Sequence, residues 1–271
     1  MDNKIRICCP CHFGLESVLK YEINKIGGTD LHVTDGKITF SGDFNTIARA
    51  NICLSTAERV LIELGEFEAR TFEELFQGVK AIEFENYIGI NDAFPVKGHS
   101  LNSVLHSVPD CQSIIKKAVV ERLKSKYNVN WFEESNSVVQ IQFSILKDKV
   151  NIYLDTSGIG LHKRGYRKNS NTAPIKETLA AGIIDLARVR SDSIVCDPFC
   201  GSGTILIEAA LKALKIAPGI NRRFAAEKWE CIDKEIWREE RSRAIDLVDR
   251  NAKFEGIGCD IDDFAVALTL D

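Results

Sequence analysis

Apolar residues recur along the chain with two periods. In residues 14–27 they fall at Leu15, Val18, Leu19, Ile23 and Ile26, the spacing of a helix, and Gly27-Gly28 ends the run. Short apolar runs at 4–9, 31–34, 37–41 and 59–67 read as strands, with a turn at Asp35-Gly36 and a helix at 43–50. This order predicts a β-α-β-β-α-β, ferredoxin-like unit over residues 1–67. A second α+β unit follows over 68–157, with a helix at 72–79, a strand at 93–97 and a long helix at 109–126. That long helix turns Ile114, Ile115, Ala118, Val119 and Leu123 inward and leaves Lys116, Lys117, Lys124 and Lys126 mostly on the other face. Val139, Ile141, Phe143 and Ile145 then alternate with polar residues, and Lys147-Asp148-Lys149 turns the chain into Val150, Ile152 and Leu154.

The pattern breaks at residues 158–174, which read as a basic linker. The stretch from Leu161 to Lys176 holds Lys163, Arg164, Arg167, Lys168 and Lys176 and no acid. Beyond it come a helix at 175–189, an apolar strand ending at Asp197, a glycine turn, a second helix, a charged helix at 233–251 and a strand at 256–260. Strands and helices thus alternate over 175–271.

Composition adds limits. The chain is 45% hydrophobic and 27% charged, with a formal net charge of −4. A pI near 5.8 excludes a uniformly basic nucleic-acid coat but leaves room for a local basic face. No run approaches the ~20 apolar residues of a membrane span, and no signal peptide is read at the start. The nine cysteines are odd in number and lie mostly in apolar patterns, which suggests free thiols in a reducing cytoplasm. Cys8-Cys9-Pro10-Cys11-His12 lacks a second ligand pair at finger spacing, so no metal is expected.

The stretch from Val195 to Ile205, Val-Cys-Asp-Pro-Phe-Cys-Gly-Ser-Gly-Thr-Ile, carries the chemistry: a strand, an acid, a glycine turn and a helix start. Gly203 is followed by Thr204-Ile205, not Lys-Ser/Thr, which argues against a P-loop. A third glycine and an acid about 20 residues on are both missing, which argues against a dinucleotide site. An adenosyl ligand without phosphates remains. Gly201 and Gly203 let it approach the backbone, the helix start at Thr204 suits a carboxylate, and Asp260 ends a second strand where it can hold ribose hydroxyls.

"DPFCGSGT" followed by "GCDID" resembles the class I methyltransferases that use S-adenosylmethionine (SAM). "HKRGYRKNSNTAPIKETLAAGII", "IAPGINRRFAAEKW" and "FPVKGHSLNSVLHSVPDCQSIIKKAVVERLK" extend the resemblance to THUMP-containing RNA guanine-N2 methyltransferases of the bacterial 23S ribosomal RNA type. The resemblance makes 68–157 a THUMP RNA-binding domain and 175–271 the first part of an α/β, Rossmann-like methyltransferase domain. It implies that Asp197, Pro198, Phe199, Cys200, Gly201, Ser202 and Gly203 shape the SAM pocket and that Thr204 presents its amide. It further implies that Asp260 holds the ribose, Ile261 lies against adenine, and Thr172, Ala173 and Pro174 with Lys176-Glu177 close the methionine side.

In that family an Asn/Asp-Pro-Pro-Tyr/Phe motif receives the acceptor amine. No two of the six prolines here are adjacent, so the motif is absent and no catalytic residue is assigned. The motif is expected beyond Asp271. The expectation is then an incomplete methyltransferase domain, with little activity for this chain alone. RNA contacts are expected from Lys116, Lys117, His162, Lys163, Arg164, Tyr166, Arg167 and Lys168, the cations meeting phosphates and the rings stacking on bases. Two other readings stay open: an adenine-N6 nucleic-acid methyltransferase, and a THUMP RNA-binding module without catalysis.

Overall fold

The structure, a computed structural model, describes residues 4–166, 174–262 and 266–267. Its strands and helices are, in chain order, β1 (Ile5–Pro10), α1 (Glu16–Lys25), β2 (Thr29–Thr34), β3 (Lys37–Gly42), α2 (Phe44–Cys53), β4 (Leu61–Glu68), α3 (Phe72–Lys80), β5 (Val96–Leu101), α4 (Val108–Tyr127), β6 (Ile141–Leu146), β7 (Lys149–Asp155), α5 (Glu177–Leu186), β8 (Ile194–Asp197), α6 (Thr204–Ala213), α7 (Lys234–Asp246) and β9 (Glu255–Gly258). Two compact units result. One holds the residues up to Cys8 with 61–158 and 224–234, and the other holds 9–60, 159–223 and the residues from 235 onward.

In the first unit β1, β4, β7 and β6 pair antiparallel in turn, and β5 joins β6 in parallel. The strand predicted at 93–97 lies further on, at 96–101, because its partner sets it: Val96 pairs with Ile141 and Leu101 with Leu146. Period-two burial on β6 sends Ile141, Phe143 and Ile145 inward, while β7, paired on both sides, is buried at every residue from Val150 to Asp155. The tight turn between them places Lys147 and Asp148 at φ 52° and 66°, the left-handed pair of a type I′ hairpin. α4 buries Cys111, Ile115, Ala118, Val119 and Leu123, while Ile114 stays half-buried. α3 begins with a capping box, in which the Glu74 amide donates to Thr71 Oγ1 and the Thr71 amide to Glu74 Oε2.

Gly98 on β5 fixes how closely β5 and β6 approach. A Cβ there would overlap the carbonyl oxygen and ring of Phe143, and a backbone carbonyl cannot swing aside. Gly98→Ala is therefore expected to destabilise by about 1–3 kcal/mol. A thermal melt of the variant at the wild-type midpoint would show that β5 has slack.

In the second unit β2 and β3 form the predicted hairpin, with Gly36 at φ 74° in its turn. α1 buries Val18, Leu19 and Ile23. α2 starts at Asp43, whose carboxylate accepts the Thr46 amide at 2.7 Å, and runs three residues beyond the predicted 43–50. Arg49 joins α2 to α7 through a two-pronged contact with the buried Glu240, at 2.8 and 2.7 Å. Among the described residues β8 and β9 form a two-stranded parallel sheet, in register from Ile194–Glu255 to Asp197–Gly258. Parallel neighbours need a crossover, and α6 packs on both strands within it.

Candidate cofactor site

The loop after β8 turns back over the strand ends. Gly201 and Gly203 take φ 53° and 74°, a region open at little cost only to glycine. A Cβ on Gly201 would meet no atom within 4 Å, so the backbone angle demands glycine there and the space beside it is open. The loop is held by its own amides: Gly203 N donates to Cys200 O at 2.8 Å, Cys200 N to Cys259 O at 2.8 Å, and Cys259 N to Asp197 O at 2.9 Å. The two bonds to Cys259 tie the ends of β8 and β9 together across up to 62 residues of sequence (259 − 197).

Asp197 and Asp260 stand at the carboxyl ends of these adjacent strands. Asp197 Oδ1 accepts the Phe199 amide at 3.1 Å. Asp260 Oδ1 accepts the Asp262 amide at 3.0 Å and Oδ2 the Gly201 amide at 2.8 Å. The Asp262 and Gly201 amides hold the Asp260 carboxyl below the usual carboxylate range, so it stays ionised. Each carboxylate oxygen keeps a second lone pair for a ligand hydroxyl.

A cavity of about 290 Å³ opens here, lined by Pro174, Ile175, Asp197, Phe199, Gly201 and Thr204 among others, including Cys200, Ser202 and Ile205. It sits at the N-terminus of α6, a ten-residue helix without a side-chain cap, which suits a carboxylate. Of the expected pocket residues, Pro198, Gly203, Asp260 and Ile261 flank the cavity without lining it. Phe199 is 85% exposed and Ile261 fully exposed, so each has an open face. Thr172 and Ala173 lie outside the described residues. No adjacent pair of prolines stands anywhere in the chain to supply the acceptor motif.

Sequence reading missed Ile175 and Ile205 on the wall, because nothing local marks an aliphatic residue as a liner. It also missed Gly258, where a Cβ would come within 2.8 Å of Leu206 Cδ1 and 3.2 Å of Cys200 Sγ. A glycine inside a short strand is the signal for such a close approach. A larger cavity, about 360 Å³, lies elsewhere in this unit between α1, α5 and α6, with Leu54, Ala181, Leu211 and Pro218 on its walls. It has no glycine turn and no strand end, so the smaller cavity is the better cofactor candidate.

The expected RNA contacts divide. Lys117 and Lys163 are exposed. Lys116 is engaged within the first unit, where its ammonium bonds Glu134 at 2.6 Å and the Phe94 carbonyl at 3.1 Å and lies over the Phe94 ring. Arg164 departs furthest from expectation, being only 4% exposed. Its donors reach Glu208 Oε1 at 3.2 Å, Leu161 O at 2.9 Å and Ser55 O at 2.5 Å. A guanidinium with its donors on buried protein acceptors is not placed to meet phosphate. Tyr166 gives its hydroxyl to the same Glu208, at 3.2 Å, and His162 turns toward Glu58. Arg167 and Lys168 lie outside the described residues.

Among the described residues no group of three or more His, Cys, Asp or Glu is arranged to hold a metal, and Cys8, Cys9 and Cys11 are buried free thiols. No described helix is long and apolar enough to cross a membrane.

Three family profiles match the chain: an RlmL ferredoxin-like domain at residues 6–61, a THUMP domain at 69–155, and an RMKL-like methyltransferase domain at 164–270. Over 263 residues the chain is 45% identical to the Bacillus subtilis (strain 168) protein named "Putative RNA methyltransferase YpsC", covering 96% of this chain and 68% of that one. A crystal structure of "a predicted N6-adenine-specific DNA methylase from Listeria monocytogenes str. 4b F2365" matches with a TM-score of 0.94 at 44% identity, over 98% of this chain and 70% of that one. One of "SMU.472, a putative methyltransferase complexed with SAH" matches with a TM-score of 0.94 at 39% identity, over 99% and 71%.

Proposed function

This chain belongs to the THUMP-containing methyltransferases with an RlmL-type ferredoxin-like domain, and from that membership we propose that it serves methyl transfer from SAM to the exocyclic N2 amine of a guanine in 23S ribosomal RNA. Members of the family are SAM-dependent methyltransferases. The observation that carries the reading is the pair of acid-tipped parallel strands, with the Asp260 carboxylate bonded to the amide of Gly201.

The residues present fit the cofactor. The Asp260 carboxylate is ionised and keeps lone pairs for a ribose diol, Gly201 leaves open space beside its backbone, and α6 begins at the cavity without a side-chain cap. SAM supplies a methyl group on a positively charged sulfur. The chain's own part is to orient and enclose. Asp260 fixes the sugar, the loop amides and the α6 dipole fix the carboxylate tail, and Pro174 and Ile175 give an apolar wall. An acceptor base has to leave its stack to reach such a cavity. Lys117 and Lys163 are the described candidates for phosphate contact.

Calorimetric titration with S-adenosylhomocysteine (SAH) and filter binding of protein-free 23S rRNA test the reading. One SAH site per chain is expected, with RNA retention that weakens as salt rises. RNA retention without SAH uptake favours the non-catalytic module. Nucleoside mass spectrometry of 23S rRNA incubated with SAM identifies any methyl incorporated; N6-methyladenosine in place of N2-methylguanosine favours the adenine reading.

A further inference from the structure

The connection between α2 and β4 carries one acid, Glu58, whose side chain is 22% exposed. Its backbone joins two other segments, since Glu58 N donates to Pro10 O at 2.8 Å and Leu161 N donates to Glu58 O at 2.9 Å. Its carboxylate gathers four side chains. Thr178 Oγ1 donates to Oε1, and His12 Nε2 stands 3.2 Å from the same oxygen. Lys176 Nζ is 3.5 Å from Oε2 and His162 Nδ1 is 3.7 Å from it. Both imidazole nitrogens are shielded from solvent and make no hydrogen bond.

Lys176 and Thr178 bracket the first residue of α5, and Lys176 has no capping bond of its own. Two residues earlier the chain supplies Pro174 and Ile175 to the cofactor cavity. An anchor on residues 176 and 178 therefore sets where that wall stands. We propose that Glu58 is a positioning residue for cofactor binding: it holds the start of α5, and through it the Pro174–Ile175 wall, with His162 as a competitor for the oxygen that Lys176 uses. The inference rests on the SAM reading of the cavity.

Protonation modulates the hold. Burial keeps the His162 pKa below the ordinary imidazole value, with Glu58 and Glu177 pulling it up and Lys176 and Lys163 pushing it down. His12 and the buried Cys11 face Glu58 from the end of β1. His162 is neutral at pH 7.5. When it gains a proton at lower pH, it bids for Glu58 Oε2 against Lys176.

The test is SAH calorimetry on the whole chain. Glu58→Gln keeps the size and removes the charge; Thr178→Val removes only the α5 tie. At pH 7.5 each is expected to weaken SAH binding about tenfold, and the double variant by less than the two combined, because both loosen the same anchor at the start of α5. Wild-type affinity is expected to fall as pH is lowered from 7.5 through the His162 titration, which burial places below the ordinary imidazole value, and His162→Asn to remove that slope. Unchanged affinity in both single variants, or full additivity in the double, overturns the proposal, as does an unaltered slope in His162→Asn. Should Glu58→Gln fail to fold, Thr178→Val and the pH profile decide alone. Absence of SAH binding by the wild type fails the cofactor reading itself, and is distinguishable because the variants are then not needed to see it.

Discussion

Asp260→Ala is expected to weaken SAH binding about 100-fold, the largest loss of affinity from any one side chain in the cavity region. A hydrogen bond to a charged group contributes roughly 1.5–3 kcal/mol, and two ribose hydroxyls on one ionised carboxylate make two such bonds. Each ~1.4 kcal/mol is tenfold in affinity. Asp260 has a second effect, since the variant frees the Gly201 amide that Oδ2 accepts at 2.8 Å and so loosens the loop. Asp260→Asn separates the two. Its amide oxygen can still take the Gly201 amide, so a smaller loss in Asn than in Ala measures the loop's share. The global melt is expected to change little, because Asp260 is not in the core. Calorimetry that finds Asp260→Ala within threefold of the wild type removes Asp260 from the site.

The second large effect is on stability. Arg164→Met is expected to cost about 3–5 kcal/mol at pH 8, because it leaves the Glu208 carboxylate buried without its cation. Both side chains of the pair are 2% exposed. Burial pushes the Glu208 carboxyl up, and Arg164 and the Tyr166 hydroxyl draw it back down. Removing the arginine therefore raises it further. In the pH window between the ordinary glutamate value and that raised value, the folded variant binds more protons than the unfolded chain. Its stability then falls as pH rises, so the deficit is smaller at pH 5.5 than at pH 8. Adding Glu208→Leu to Arg164→Met removes the stranded charge and is expected to restore part of the loss. Thermal or urea unfolding at both pH values checks this. A deficit that grows on acidification contradicts the account.

The pair also shows where reading by local pattern stops. Arg164 lies in a run of cations with no acid, and within that window it looks free for phosphate. Its partner Glu208 is 44 residues away on α6. Lys116 likewise meets Glu134, 18 residues on. The tie of Glu58 to Thr178 spans 120 residues and leaves no trace in either local stretch.

What the sequence determined is what short range dictates. The period of the apolar positions set the helices near 14–27 and 109–126 and the strand pair around Lys147-Asp148, since side-chain direction repeats every 3.6 or 2 residues whatever the fold around it. Two glycines between a strand end and a helix start set the turn, since only glycine takes those φ values cheaply. The tertiary structure alone decided which charges are paired, where β5 finds its register, and which aliphatic residues wall the cavity. Those outcomes depend on partners brought together by strand pairing and helix packing, and a buried charge or a close backbone approach has no meaning until the partner is in place.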